Sequence, residues 1–394
     1  MVYMPWKTTN QQEQRFQLIR EMRAGDLPVT ELCRRLKISR KTAYKWRRRY
    51  GLKRLNGLKD QSRRPRRVPG RTGELWLERV RRRRLKHPSW GARKLRHRLQ
   101  RDFGGAGSPS VAAISRWLKH WGLASGRKRR KRGPMVLRRG VRTARQSNDV
   151  WTVDFKGSYK TGDGTRVHPL TVRDLYSRYG LRVGLLRSQA LEKTKREFVK
   201  IFRKNGLPKR IRSDNGTPFG GGGPTGLTRL SAWWIKLGIE VEFITPGRPC
   251  ENGAHEQFHR VYKAEVARYP ALTLAGQQRR STKWLQQYNQ DRPHEALGME
   301  VPAKYYRRSR RPLQERSGPW KYLAAWTSRW VRGNGEINWR GKRRFVGEAF
   351  VGDYVGLKAL RPNVWRVYFG PLLVGELHQE EVGNIRTAHY RHRK

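Results

Sequence analysis

Acidic residues are scarce in this 394-residue chain: 30 Asp and Glu stand against 90 Lys and Arg, a formal net charge of +60. The cations run along the whole length and not in one tail, and a surface of that kind selects a polyanion. Nothing approaches the roughly 18 consecutive apolar residues that a spanning helix needs, and no amphipathic anchor with flanking lipidation signals appears. Nucleic acid is therefore the stronger reading and a membrane surface the weaker. Cysteine is nearly absent, with Cys33 and Cys250 alone. Two isolated cysteines build no zinc cluster by themselves, so neither disulfide nor zinc is expected. The opening MVYMPWKTTNQQEQ has no apolar stretch of the secretory kind, which sets the expected location in the cytoplasm with the DNA.

Where acids are scarce, the setting of each one carries information. Asp154 lies in WTVDF, Asp214 in RIRSDNGTPF and Glu256 in PGRPCENGAHEQFHR. A small cluster of hard carboxylate oxygens is what divalent magnesium requires, which makes these three the candidate active site. Asp154 sits within a strand pattern, where an unpaired carboxylate is costly unless something neutralises it. Asp214 ends a short strand, and the carboxyl ends of strands in mixed sheets face the ligand crevice; the plainer reading is a turn-forming Asp-Asn-Gly. Glu256 stands in the first turn of a helix, where an acid also complements the helix dipole. Three, four and seven residues later come His259, Arg260 and Lys263, on one helical face suited to gripping phosphates. Four other acids compete: Asp174 is read as the turn before a strand, Asp163 as a hairpin loop, and Glu251 and Glu265 as flanking residues, Glu251 being the closest rival.

The length implies two to four domains at about 100 to 200 residues each. QEQRFQLIREMRA, VTELCRRL and RKTAYKWRRRY read as three helices of a helix-turn-helix over residues 1–61, with Leu32, Cys33, Leu36, Ile38, Ala43 and Trp46 as core, Ser39 as cap and Gly51 as stop. Arg40, Lys41, Tyr44, Lys45 and Arg48 then point outward, the first three placed to read bases. A Pro- and Arg-rich linker (62–71) leads to a second helical unit (72–125) burying Trp76, Val80, Leu95, Leu99, Ile114, Trp117 and Leu118, with Ser110 as cap, Gly122 as stop, and Arg116, Lys119 and His120 exposed. A basic linker (126–148) follows. From Val150 three strands, a helix over about 191–205, the strand IRSD, a second helix and VEFI alternate as in a mixed sheet covered by helices. Residues 306–330 read as a linker, 331–380 as a small five-stranded barrel, and 381–394 as a basic tail.

WTVDFKG, YSRYGL, RSDNGTPF, PGRPCENGAHEQFHR and YNQDRPHEALGMEVPAKYY, with SRKTAYKWRRRYG and HPSWGARKL before them, resemble successive signatures of the retroviral-integrase-type DDE transposases of bacterial insertion sequences. The resemblance implies N-terminal all-α helix-turn-helix units, a central α/β RNase H-like integrase core over 149–305, and a C-terminal SH3-like β-barrel. It implies Asp154, Asp214 and Glu256 as catalytic and metal-binding triad, and Arg260 and Lys263 as donor-end contacts. Arg292, Pro293 and His294 become a structural signature. Two Mg2+ ions, replaceable by Mn2+, would be bridged by Asp154 and would activate first a water and then a DNA 3′-hydroxyl. Partners would be double-stranded DNA, both element ends and target, and further copies of the chain; no membrane and no small-molecule substrate is implied. The spacings of 59 and 41 intervening residues leave the second longer than in retroviral members, with the surplus expected in GGGGPTGLTR as a surface loop. The zinc-binding N-terminal domain of retroviral integrases has no counterpart. The rival readings are a nuclease of the same fold that cuts without joining and a DNA-binding protein with an inert triad.

Overall fold

A computed structural model describes residues 10–61, 73–124, 143–221, 225–245, 249–314 and 318–388; the two expected linkers at 62–71 and 126–148 lie wholly or largely outside the described residues, whereas the expected basic tail is described as far as residue 388 and there carries two short strands. The chain divides into two compact units, residues 1–71 and 72–394.

The first unit is three helices: α1 (Gln11–Ala24), α2 (Val29–Arg35) and α3 (Arg40–Lys53). Asn10 and Glu13 close a capping box on α1, and Ser39 accepts from the Thr42 amide at the start of α3 as expected. Leu18, Cys33 and Ala43 form one small core and Ile19, Trp46 and Leu58 another, with Met22 touching both. Two expectations fail. Leu36 is 44% exposed, and Gly51 lies inside α3, which runs on to Lys53 and reverses at Arg54 with φ 49°. The reversal carries Leu58 back under Trp46, and the glycine it needs is Gly57, where a Cβ would fall 2.2 Å from the Arg49 carbonyl oxygen.

The second unit begins with α4 (Glu74–Lys86), α5 (Ala92–Phe103) and α6 (Val111–His120) around Val80, Trp90, Leu95, Leu99, Ile114 and Leu118. Trp76 and Trp117 are only partly buried against this cluster. Ser110 caps α6, and Gly122 comes after it at φ 64°. These helices are tied to the later part of the same unit through Ser89, which meets Glu265 and Arg292, and through Arg98, 3.3 Å from Asp291.

Next in the chain is a six-stranded sheet: β1 (Val150–Phe155), β2 (Tyr159–Lys160), β3 (Arg166–Asp174), β4 (Gly180–Leu186), β5 (Arg210–Ser213) and β6 (Glu240–Phe243). β1, β3 and β4 form the expected antiparallel meander, while β5 and β6 extend it in parallel from β1. The helices are α7 (Leu191–Asn205), α8 (Arg229–Lys236), α9 (Gly253–Tyr262), α10 (Leu274–Gln290) and the short α11 (Pro302–Tyr305). Alternate residues Trp151 and Val153, with Leu170 and Val172, meet Phe198, Ile201 and Phe202 of α7 and Leu230 and Trp234 of α8 in one apolar core. On the other side, Val183 and Leu185 of β4 meet Phe258, Val261 and Tyr262 of α9 and Trp284 and Tyr288 of α10.

The stretch after α11 is no free tether. Tyr306 stacks on Tyr179 at 4.2 Å, and Arg311 donates to the carbonyls of Pro208, Leu237 and Gly238. Within the expected linker lies β7 (Thr327–Trp330). The five strands foreseen after it are β8 (Glu336–Trp339), β9 (Lys342–Phe345), β10 (Tyr354–Arg361), β11 (Val364–Phe369) and β12 (Leu372–His378), with the brief β13 (Gly383–Asn384) and β14 (Arg386–Thr387) beyond them. They form a five-stranded and a three-stranded sheet. Their shared core takes in Ala232 and Ile235 of α8, and an ion pair joins Lys236 to Asp353.

Candidate active site

The site is written into the alternation of β1. Trp151 and Val153 enter the apolar core, so Thr152 and Asp154 point to the opposite face. Antiparallel register sets Thr171 of β3 opposite Asp154, and Arg173 opposite Thr152. Four polar residues therefore share a patch of sheet, and α9 lies across it. Thr152 Oγ1 is 2.8 Å from His255 Nδ1, and Thr171 Oγ1 is 2.7 Å from His255 Nε2 and 2.6 Å from His259 Nε2. Arg173 donates to the Ala254 carbonyl. Thr152, Thr171, Arg173, His255 and His259 are all buried; the threonines and histidines partner one another as burial demands, while Arg173 donates from one terminal nitrogen and its Nε has no hydrogen-bond partner among the described residues.

Parallel register pairs Thr152 with Arg212, and two residues further on lie Asp154, still in β1, and Asp214, just past the end of β5. The Asp154 carboxyl is pushed up to about 7, first by burial, then by the charge of Asp214 and to a smaller extent that of Glu256; the Phe155 amide and Lys156 oppose the rise. Asp154 thus feels both of the other candidate acids. Among the described residues Asp214 accepts one hydrogen bond, of 3.3 Å from the Gly216 amide. Among the described residues no hydrogen bond or ion pair engages Glu256, which is exposed on the first turns of α9.

The rival acids are otherwise employed. Asp174 ends β3 and takes three donors, from the Asn148 amide and from the amide and hydroxyl of Ser177. Asp163 closes the β2–β3 turn on Thr161 and Thr165, and Glu251 holds the amide and hydroxyl of Thr245. Glu265 is bound by Ser89, Trp284 and Arg292.

His259 does not share the open face expected of it. Arg260 and Lys263 are exposed, whereas His259 is turned into the sheet, with Nδ1 3.6 Å from Asp154 Oδ2. The reason is helical phase: His255 and His259 are one turn apart, and both settle on Thr171 while the residues between them reach solvent or the aromatic core. Burial, and then Lys156 and Arg173, push the His259 imidazole down to about 3; burial, then His259 and Arg173, drive His255 well below its ordinary value. Both rings are neutral. Thr152, Thr171, Arg173 and His255 were not foreseen as site residues. The signals were a polar residue at each alternate position of W-T-V-D and the His-x-x-x-His in HEQFH, a spacing that also suits a metal-binding helix, although here the hydroxyls occupy those nitrogens. Arg40, Lys41, Tyr44, Lys45 and Arg48 are exposed on α3, and Arg116, Lys119 and His120 are exposed on α6.

Among the described residues no group of three or more His, Cys, Asp or Glu is arranged to hold a metal ion. The chemistry of the donor set nevertheless suits a hard divalent cation. Magnesium keeps several waters and takes one or two carboxylates, and Asp154 beside Asp214 is a pair whose mutual repulsion such a cation would relieve.

With fold and site in view, comparison with known proteins gives the family. Residues 144–249 match one description of an integrase core domain and residues 237–302, overlapping them, match another. Residues 14–66 match a helix-turn-helix domain and 42–118 a homeodomain-like domain. The insertion element IS407 uncharacterized 31.7 kDa protein of Burkholderia multivorans is 30% identical over 200 residues, covering 49% of this chain and 67% of that one. The insertion element IS476 uncharacterized 39.2 kDa protein of Xanthomonas euvesicatoria is 27% identical over 222 residues, covering 56% of this chain and 61% of that one. The chain thus spans about two thirds of these relatives or somewhat less. Among solved structures, it is similar to the HTLV-2 integrase catalytic core domain in complex with magnesium (TM-score 0.34, 17% identity, 42% of this chain and 100% of that one). It is also similar to a simian T-cell lymphotropic virus intasome in complex with a PP2A regulatory subunit (TM-score 0.37, 16% identity, 79% and 99%). The chain belongs to the integrase-core transposases of insertion elements, with helix-turn-helix DNA-binding domains ahead of the core.

Proposed function

We propose that the chain is a polynucleotidyl transferase that binds the terminal inverted repeats of its element, cleaves their 3′ ends and joins them to target DNA. The observation that carries this reading is the pair Asp154, on β1, and Asp214, just past the end of the adjacent parallel strand β5, mutually repelling, with Glu256 near enough to be felt. Asp154, Asp214 and Glu256 would hold divalent magnesium, which when bound polarises the phosphodiester and lowers the pKa of a hydroxyl or water bound to it. The chain's own residues supply position and charge. Arg260, exposed on α9 one turn beyond Glu256, and Lys263, exposed just after the end of that helix, would grip phosphates of the end being joined. Arg40, Lys41 and Tyr44 on α3 would meet base edges, with Lys45 and Arg48 on backbone, and Arg116 and Lys119 would add phosphate contacts. The C-terminal sheets read as an SH3-like barrel that completes the DNA-binding surface. Paired ends call for more than one copy of the chain.

Strand transfer of a labelled, pre-cleaved element end into plasmid, with magnesium and with EDTA, tests the reading. Metal-dependent joining is expected from wild type and none from Asp154→Asn, Asp214→Asn or Glu256→Gln, each of which keeps its affinity for element ends. Cutting without joining would make the chain a nuclease, and binding alone a DNA-binding descendant. Joining that survives in any of the three variants would remove that residue from the triad. Binding should also weaken steeply with salt, by roughly 0.9 in log-log slope for each neutralised phosphate.

A further inference from the structure

One hydroxyl holds the centre of the polar patch. Thr171 Oγ1 lies 2.9 Å from the Asp154 carbonyl oxygen, 2.7 Å from His255 Nε2 and 2.6 Å from His259 Nε2. A hydroxyl has one proton to give and two lone pairs to receive with. The carbonyl can only accept, so it takes the proton, and both imidazoles must then donate through Nε2–H. That leaves His255 Nδ1 as the acceptor for the Thr152 hydroxyl at 2.8 Å. It also leaves His259 Nδ1 with a bare lone pair toward Asp154 Oδ2 at 3.6 Å. Thr171 has no proton or lone pair to spare, and the count admits one tautomer at each ring.

The same count fixes the helix. His255 and His259 stand one turn apart on α9 and converge on a single oxygen, while Arg173 ties the Ala254 carbonyl at the helix start. A slide of α9 by one turn, about 5.4 Å, would break the convergence and orphan a ring. An apolar seam would tolerate smaller slips, which a polar network of this kind does not, since an orphaned buried group loses its partner outright. Between the two histidines the seat leaves Glu256 and Gln257 exposed, and Glu256 is the acid of the pair.

Resting on the reading of Asp154, Asp214 and Glu256 as the reacting acids, we propose that Thr171 is a positioning residue. It locks His255 and His259 as Nε2–H tautomers and so seats α9, with Glu256, at one register against the end of β1. The lone pair turned to Asp154 offers that carboxylate no competing donor, so its oxygens stay available to a cation.

The test is run on the full chain. Long-range 15N–1H spectra of the histidine-labelled, metal-free wild type should show Nε2–H at both rings. Thr171→Val should lose that pattern at one or both rings and join pre-cleaved ends about tenfold to a hundredfold more slowly, with end binding kept. Thr171→Ser, which keeps the hydroxyl, should recover most of the lost rate. An Nδ1–H signal at either ring of the wild type overturns the proposal, as does a Val variant that joins at the wild-type rate. Should the Val chain not fold, the wild-type ring spectra decide. Spectra as expected from a wild type that joins nothing would leave the seat standing and fell the reading of the triad.

Discussion

The two faces of the integrase-core sheet meet their helices by different means. On one, Trp151, Val153, Leu170 and Val172 press against Phe198, Phe202 and Trp234; on the other, Val183 and Leu185 of β4 pack on Phe258, Val261 and Tyr262 of α9, but next to them Thr152, Thr171 and Arg173 reach the same helix through hydrogen bonds. The apolar face supplies stability, because burying a large side chain is worth roughly 1.5–3 kcal/mol whatever its orientation. The polar face contributes less net energy per contact but specifies geometry, because a hydrogen bond fails when displaced by an ångström. The candidate acids stand at the edge of the second face. A site that must hold two strands and a helix in fixed relation is built where displacement is penalised most.

Acid should separate the faces most sharply, since the titrating groups lie on the polar side. His255 and His259 have folded values below their ordinary one, so they contribute stability that is present above about pH 6.5 and lost as pH falls; for His259 the loss runs down to about pH 3. Each unit of that window costs about 1.4 kcal/mol per imidazole at most. Asp154 works in the other direction: raised to about 7, it gains stability as pH falls from there toward 3.8, and offsets one ring. Asp174, its carboxyl also raised by burial, works in the same direction as Asp154, but the buried His87, pushed down to about 4, and His294, pushed down to about 2, both mainly by burial, add to the loss and keep it the larger. The thermal midpoint of the second unit should therefore fall between pH 7 and pH 4.5. A midpoint that holds or rises over that interval would mean the rings are not neutral donors.

Substitution gives the next largest contrast. Trp151→Ala removes a fully buried indole packed on Phe202 at 6.0 Å between centroids and should cost about 3–5 kcal/mol. Thr152→Val, at the adjacent position, keeps the volume but strips His255 Nδ1 of its donor and should cost about 1–3 kcal/mol. Denaturant unfolding of both variants checks the order, and equal losses would erase the distinction between the faces.

Much of this was legible in the sequence. VWTVDF was legible as a strand, though its two faces were not drawn from it; Ser39 and Ser110 gave helix starts, and the bounds of α7 were read directly. The three acids stood out because the chain has so few. What was not legible depended on contacts between residues far apart in the chain. Periodicity gives the neighbours of His259 on its own helix but not the sheet that helix lies on, so it was set on the open face with Arg260. Gly51 resembled a helix stop because nothing local says that Leu58 must return to Trp46, which makes Gly57 the necessary glycine. The stretch 306–314 has a linker's composition, yet Gly206 leaves room against which Ser309 and Arg311 pack.

Glu256→Gln should have the smallest effect on the fold and is the sharpest test of how the faces divide their work. The side chain is exposed, and among the described residues nothing is hydrogen-bonded to it; the substitution is isosteric and removes one acid from a chain of net charge +60. Surface changes of that kind stay within about 0.5 kcal/mol, so the unfolding midpoint should match wild type while strand transfer is lost. Loss of joining together with a loss of stability would mean that Glu256 helps to seat α9, a role the structure gives to His255 and His259. Loss of joining alone would leave the imidazoles to hold the helix and the carboxylate free for the chemistry.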